Sequence, residues 1–141
     1  MKYKLIINEE IYSKYDQSET WIKILSAFKD SSNVPEWPRN ELIKTDAVKE
    51  GGEVEVQYRI LGGEYKFKYQ IKKLSDFEII YCPKGDHPLD GDILLRVAKD
   101  RNQSRIIWKG NYQTNSFLAK LGFIIFTRKF FKDIKQNLKN S

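Results

Sequence analysis

Alternating apolar and polar residues in the middle of the chain predict antiparallel strands. In residues 53–61, EVEVQYRIL, one face carries Val54, Val56, Tyr58 and Ile60. In the next run, EYKFKYQIKKL, lysines lie on one side, and the other side carries Tyr65, Phe67, Tyr69 and Ile71. A period of two residues is typical of a strand with one buried face. The pair Gly62-Gly63 between the two runs predicts a hairpin.

The same alternation predicts further strands over residues 3–12, 41–50, 76–82, 92–99 and 104–112. Turn residues separate them at Gly51-Gly52, at residues 83–92 and at residues 100–103. Strands joined by short hairpins form a meander, and a sheet of this kind needs a cover on its apolar face.

Two helical patterns supply candidates for that cover. Asp16, with Glu19 three residues later, predicts the start of a short amphipathic helix. Pro35 and Pro38 prevent its continuation, although a second helical turn before Val34 is an alternative. Residues 116–137 predict a long helix with one apolar side formed by Phe123, Ile124, Phe130, Phe131, Ile134 and Leu138. The element order predicts an α+β fold in one domain, residues 1–141.

Two short segments resemble a known family. The helix containing Trp21, ETWIKIL, is similar to a "VW" helix, and VPEWP at residues 34–38 resembles a proline–tryptophan turn before the second strand. With the element order, the chain resembles the START-like (SRPBCC) superfamily, which includes polyketide cyclases, Bet v 1-like proteins and lipid-transfer domains. The resemblance implies a helix-grip fold: a curved antiparallel sheet of about seven strands around the C-terminal helix, with a hydrophobic cavity between them.

The resemblance also implies a range of functions. Some family members bind lipids, sterols or aromatic metabolites in the cavity, and others cyclise or dehydrate them. The family has no universal catalytic residues, so none is assigned here by resemblance.

The inner face of the predicted sheet is rich in aromatic residues: Tyr58, Tyr65, Phe67, Tyr69, Phe77, Tyr81, Trp108 and Tyr112. Buried tyrosine hydroxyls need partners, and a pocket with apolar walls and a few hydroxyls suits a small ligand. We therefore expect a pocket lined or gated by Trp37, Tyr58, Tyr69, Tyr81, Trp108, Phe123 and Phe126. The alternative is that these rings simply fill a wide, shallow core.

Few polar residues are candidates for catalysis. Glu9 and Glu10 end the first strand, and the period of two turns one of them inward, where a buried carboxylate would serve as an acid or base. Pairing with a neighbouring Lys or Arg is the alternative. His87, the only histidine, lies near Asp86 and Asp90. One histidine is a weak basis for a metal site, and its turn sequence explains it, so we predict no metal and no cofactor.

The C-terminal helix contains a conflict. On a straight helix Phe117, Leu118, Leu121 and Ile125 project away from the predicted apolar side. The helix bends near Gly122, or its first turn is a loop, or the patch is exposed for a partner. The implied cavity favours the bend.

The net charge of +6 is concentrated in this helix. Residues 116–141 contain six basic residues and one acidic residue, so the rest of the chain is nearly neutral. Because a nucleic-acid-binding domain usually spreads its charge over one face of the body, we expect no nucleic acid partner. An anionic membrane surface contacted by Arg128, Lys132 and Lys135 is a candidate partner. The alternative is a solvated helix face whose cations favour the helix C-terminus.

The single cysteine, Cys82, excludes an internal disulfide and predicts a cytoplasmic protein. For the oligomeric state, we expect a monomer or a homodimer. Three functions remain open. The first is binding of a small hydrophobic or aromatic molecule, and the second is a cyclase or dehydratase that uses a cavity carboxylate and a tyrosine. The third is a non-catalytic interaction module that uses the basic helix.

Overall fold

A computed structural model describes residues 3–139 and contains seven strands and two α-helices. In chain order the elements are β1 (Tyr3–Ser13), α1 (Gln17–Asp30), a 3₁₀ turn (Ser31–Asn33), β2 (Glu41–Lys44), β3 (Glu53–Ile60), β4 (Gly63–Ser75), β5 (Glu78–Lys84), β6 (Asp90–Asp100), β7 (Gln103–Thr114) and α2 (Phe117–Lys139). All neighbouring strands are antiparallel, in the order β1-β7-β6-β5-β4-β3-β2. The predicted α+β fold class is confirmed.

The sheet curls around α2. This helix contacts β1 at one edge of the sheet and β3 next to the other edge. In a flat sheet those two strands would lie about 24 Å apart, twice the diameter of a helix with its side chains. One helix therefore reaches both only because the sheet wraps around it, which gives the helix-grip arrangement.

Both α-helices begin at residues that satisfy their free N–H groups. The Asp16 carboxylate accepts a hydrogen bond from the Glu19 N–H at 2.8 Å, as predicted for α1. The Ser116 hydroxyl oxygen accepts one from the Ala119 N–H at 3.1 Å at the start of α2. A helical turn before Val34, given above as an alternative, is present as the 3₁₀ turn.

Strand β2 is shorter than predicted, because the chain leaves the sheet at Thr45. The Thr45 hydroxyl donates to the Glu53 carbonyl at 2.6 Å and accepts from the Ala47 N–H at 3.1 Å. These bonds turn the backbone away from β3, so residues 45–50 do not extend the strand.

The predicted inward orientation of the aromatic side chains needs two corrections. Tyr65 is 48% exposed although it pairs across the ladder with the buried Tyr58, because its ring lies against Gly63 at the hairpin between β3 and β4. Phe77 lies in the turn between β4 and β5 with a φ of 65° and contacts Trp21 of α1 instead of α2.

The expectation of a bend that turns the first residues of α2 inward is wrong. The helix is continuous from Phe117 to Lys139, and Phe117, Leu118 and Leu121 are exposed. Burial of the opposite side, which carries Phe123, fixes the rotation of the whole helix. The apolar patch therefore faces outward, the third of the alternatives given above.

A cluster of aromatic rings in the core surrounds Phe130, in the middle of α2. Its ring lies 5.7 Å from Trp37 and 5.2 Å from Trp108, measured between ring centroids, and it also contacts Phe126 and Phe131. Aromatic pairs at this separation add to the stabilisation that burial alone provides.

Replacing this ring should be costly. We expect Phe130→Ala to lower the free energy of unfolding by about 3–5 kcal/mol, because it leaves a cavity among rings that cannot collapse easily. Urea denaturation followed by tryptophan fluorescence measures the change. Lys132→Ala, at an exposed position of the same helix, is the control and should change stability by less than about 0.5 kcal/mol. A loss below about 1 kcal/mol for Phe130→Ala would show that this contact is not central to the core.

Candidate functional site

A groove of about 800 Å³ opens over the inner face of β2, β3 and β4. Its floor is formed by the apolar side chains of Ile43, Val56 and Phe67. Asp30 and Ser32, at the end of α1, lie on one side, and the loop Gly85–His87 lies on the other. A volume of this size is typical of sites for small molecules.

The groove adjoins a small cavity between the sheet and α2. Ile43 and Val56 contribute to the walls of both. The free volume of this cavity is about 20 Å³, enough for roughly one water molecule. Side chains therefore nearly fill the inner end of the site in this conformation.

Six of the seven residues predicted to line or gate a pocket do line this cavity: Tyr58, Tyr69, Tyr81, Trp108, Phe123 and Phe126. The seventh, Trp37, lies one layer away, packed between Trp108 and Phe130. Its indole Nε1 donates a hydrogen bond to Glu41 Oε1 at 3.3 Å. Trp37 thus contacts the cavity through Glu41.

A chain of polar side chains crosses the cavity toward the groove. The hydroxyls of Tyr58 and Tyr69 form a short hydrogen bond, and the Tyr69 hydroxyl lies 2.8 Å from His87 Nε2. His87 Nδ1 accepts from the Leu89 N–H at 3.0 Å. In the neutral imidazole the proton is then on Nε2, which donates to the Tyr69 oxygen. The loop thereby fixes the imidazole, with its donor directed at the tyrosines.

The protonation states of these groups follow from burial. Desolvation lowers the pKa of His87 to about 4, so the imidazole is neutral at neutral pH. Desolvation also raises the pKa of each buried tyrosine well above its usual value, and the hydroxyls stay protonated in Tyr58, Tyr69, Tyr81 and Tyr112. The network is therefore uncharged.

Glu41 is a buried carboxyl in the cavity wall. It faces inward beside Ile43 on β2 and pairs across the ladder with Tyr58. Desolvation raises its pKa from 4.5 to about 8, although the hydrogen bond from Trp37 acts in the opposite direction. The cavity lining includes no Lys or Arg that would stabilise the carboxylate. At neutral pH Glu41 is therefore mostly protonated and is a hydrogen-bond donor as well as an acceptor.

The predicted acid–base candidates lie elsewhere. The Glu9 carboxylate pairs with Lys135 of α2 at 2.7 Å, and the Glu10 carboxylate pairs with Arg105 at 2.8 Å. Both glutamates are partly exposed and neither lines the cavity, so the ion-pair alternative describes their contacts. Among residues 3–139, no group of three His, Cys, Asp or Glu side chains is arranged to hold a metal ion.

Sequence reasoning missed Glu41 and His87. Glu41 is the first residue of the predicted edge strand, and the period of two places it on the same face as Ile43. His87 was explained by its turn, yet its ring lies 4.5 Å from Phe67 and 5.1 Å from Tyr69. Only the first had a sequence pattern that could have revealed it.

Glu41→Gln should change the pH dependence of stability. The folded protein keeps a proton that the unfolded chain releases between pH 4.5 and about 8, so wild-type stability falls as pH rises through this window. The variant cannot ionise. The difference in free energy of unfolding, variant minus wild type, should therefore grow by up to about 1.4 kcal/mol per pH unit and level off above the folded pKa.

Urea denaturation across this pH range measures the difference. Titration of His87 affects both proteins and cancels in the subtraction. A difference that stays constant with pH would contradict the raised pKa of Glu41.

The comparisons with known proteins agree with this architecture. No family model matches the chain, and no curated protein matches it by sequence. Among solved structures, it is similar to the Zhui aromatase/cyclase from Streptomyces sp. R1128, with a TM-score of 0.76, 8% identity and coverage of 96% of this chain and 92% of that one. It is also similar to Ara h 8.0201, with a TM-score of 0.67, 13% identity and coverage of 98% and 100%.

A START superfamily protein from Mycobacterium smegmatis gives a TM-score of 0.67 at 12% identity, with coverage of 96% of this chain and 97% of that one. Identities this low show a shared fold. The chain therefore has the same helix-grip fold as these structures, which is the fold that the resemblance implied.

Proposed function

We propose that this protein binds a small, uncharged, hydrophobic or aromatic molecule in the groove and the adjoining cavity. The observation that carries the proposal is the Tyr58–Tyr69–His87 chain at the junction of an aromatic cavity and an open groove, whose lining combines apolar side chains with charged ones. The apolar floor would hold the body of the ligand, and the chain would receive its polar group.

The charges of the site favour an uncharged ligand. A carboxylate or phosphate would need a cation at the inner end, and the cavity lining includes none. The tyrosine hydroxyls, the protonated Glu41 and the imidazole instead match a hydroxyl group, which donates and accepts a hydrogen bond, or a carbonyl group, which accepts one. Lysines such as Lys44 and Lys66 lie only at the groove, where water screens them.

Entry of a ligand into the cavity requires the rings at its inner end to separate. Tyr58 lies 4.6 Å from Phe126 and 5.6 Å from Phe123, and these contacts connect β3 to α2. A ligand that replaces them with its own apolar contacts would compensate for the opening.

A second candidate function is acid–base catalysis on the bound molecule. The specific observation is the Glu41 carboxyl inside the cavity, which is mostly protonated at neutral pH and can donate a proton. A carboxyl whose pKa lies near the working pH is suited to general acid–base catalysis. The structural similarity to an aromatase/cyclase supports this candidate but assigns no residue.

Probe molecules test the binding proposal. The protein is first extracted with organic solvent, and native mass spectrometry before and after extraction reveals any hydrophobic molecule that copurifies. The extracted protein should bind 1-naphthol, an aromatic ring with one hydroxyl, at least about tenfold more tightly than 1-naphthoate, because the anion finds no cation in the cavity. Quenching of tryptophan fluorescence measures both affinities.

A matched pair of variants locates the polar contact. Tyr69→Phe should weaken 1-naphthol binding by about tenfold through loss of one hydrogen bond. Tyr12→Phe removes the same atom from an exposed tyrosine on β1 and should change nothing. Equal affinities for naphthol and naphthoate, or equal effects of the two variants, would refute the proposed site.

The catalytic candidate has its own test. A molecule that copurifies with the protein is incubated with it in deuterium oxide and recovered for mass spectrometry. If the wild type is a catalyst, the recovered molecule should have lost water or gained deuterium on carbon. The amount of this product should be at least about tenfold lower with Glu41→Gln. An unchanged molecule, or the same product with both proteins, leaves binding alone as the function.

A further inference from the structure

The outward face of α2 changes character along its length. An α-helix turns by about 100° per residue. This rotation aligns an apolar first part with a cationic second part, in the order Phe117, Leu118, Leu121, Ile125, Arg128, Lys132, Lys135 and Lys139. The inward side carries Phe123, Phe126 and Phe130 and is already used by the core.

The first part of this face is an exposed apolar patch. Leu118 is 78% exposed, Phe117 is 57% exposed and Leu121 is 43% exposed. The Phe117 ring touches Tyr3 of β1 at 5.8 Å between centroids, yet most of its surface remains accessible. Scattered exposed leucines are common in proteins, whereas three large apolar side chains within two turns form a contiguous patch.

The second part of the face carries cations without acidic partners. Within the described residues, neither Arg128 nor Lys132 forms an ion pair, and both are exposed. Lys135 by contrast pairs with Glu9. Arg128 lies about 10 Å along the helix axis from Leu121, and Lys132 about 16 Å. Long, flexible side chains can cover that offset, so both parts can contact one surface.

The patch adjoins the candidate site. The Thr114 hydroxyl donates to the Pro88 carbonyl at 2.7 Å and accepts from the Ser116 N–H at 3.1 Å. These bonds attach the start of α2 to the loop that carries His87. On the inner side of the same helix segment, the Phe123 ring lies 6.2 Å from the His87 ring. A surface that contacts Leu118 would thus lie beside the loop at the groove.

We propose that the outward face of α2 docks the protein onto an anionic lipid surface. Phe117, Leu118 and Leu121 enter the boundary between headgroups and acyl chains, and Arg128 and Lys132 contact lipid phosphates. No described helix is long and apolar enough to cross a membrane, so the contact is peripheral.

Other partners match this face less well. A two-fold contact between two copies of α2 would place the cations of one copy against either the cations or the leucines of the other. An acidic peptide would pair with Arg128 and Lys132 but would leave the apolar patch uncovered. An anionic bilayer offers negative charge and apolar surface side by side. Docking needs no ligand in the cavity and is independent of the proposed binding function.

Cosedimentation with vesicles tests the proposal. The full chain is mixed with phosphatidylcholine vesicles that contain or lack phosphatidylserine, at low ionic strength. We expect binding only to the anionic vesicles. Arg128→Gln with Lys132→Gln should lower the partition coefficient by about 30-fold, because each cation near an anionic surface contributes about a fivefold preference. Leu118→Ser should lower it by about tenfold through loss of apolar insertion.

Matched controls separate this face from general charge and hydrophobicity. Lys49→Gln in the loop before β3, together with Lys73→Gln on β4, removes the same charge from exposed positions, and Ile22→Ser removes an exposed apolar side chain from α1. Each control should change binding by less than about twofold, as expected for a distant exposed site. Circular dichroism verifies that every variant is folded, and 1-naphthol affinity is measured separately so that loss of the ligand site is not mistaken for loss of docking.

Three results would overturn the proposal. The first is no binding of the wild type to anionic vesicles. The second is an equal effect of the paired controls, which would indicate attraction by net charge alone. The third is a concentration-dependent dimer in analytical ultracentrifugation that Leu118→Ser dissociates, in the absence of vesicle binding. That result would assign the patch to a second copy of the chain.

Discussion

The contact between α2 and the curled sheet is the interaction on which the rest of the structure depends. A seven-stranded sheet with one apolar face must cover that face, and this chain has one long helix for the purpose. Covering both β1 and β3 with one helix forces the curl, and the curl creates an enclosed space beside the helix. The cavity is therefore a consequence of how the sheet is buried. What distinguishes this protein is which side chains point into that space.

The side chains that α2 contacts in the interior differ between its two parts. Near Phe130 the helix packs against Trp37 and Trp108, and rings fill the space. Near Phe123 it faces tyrosine hydroxyls and the imidazole of His87 instead. A hydroxyl pair in the interior packs less efficiently than aliphatic side chains and requires exact partners. One part thus packs against other rings, while the other places polar groups beside the groove.

Much of the fold was predictable because burial on one face leaves a periodic record in sequence. The period of two identified the strands and four of the residues that line the cavity, and three- and four-residue spacing identified α2 with Phe123 on its apolar side. Leu118 and Leu121 were harder, because periodicity gives the relative rotation of two apolar patches but not which one is covered. His87 could not be found from local sequence at all. Its place in the cavity depends on the Leu89 N–H in its own loop and on Tyr69 of β4, which this loop reaches only in the folded chain.

The buried carboxyl of Glu41 is the feature that packing explains least. Glutamine at this position would accept the same hydrogen bond from Trp37 without the penalty of ionisation, and an aliphatic residue would match its neighbour Ile43. The glutamate instead makes the folded state less stable as pH rises toward its pKa. An ionisable side chain buried in an apolar core without a structural advantage is expected mainly at a functional site. Glu41 lies in the same cavity wall as Tyr58, so the cost in stability falls at the candidate site, and this coincidence supports the proposal made for the polar end of the cavity.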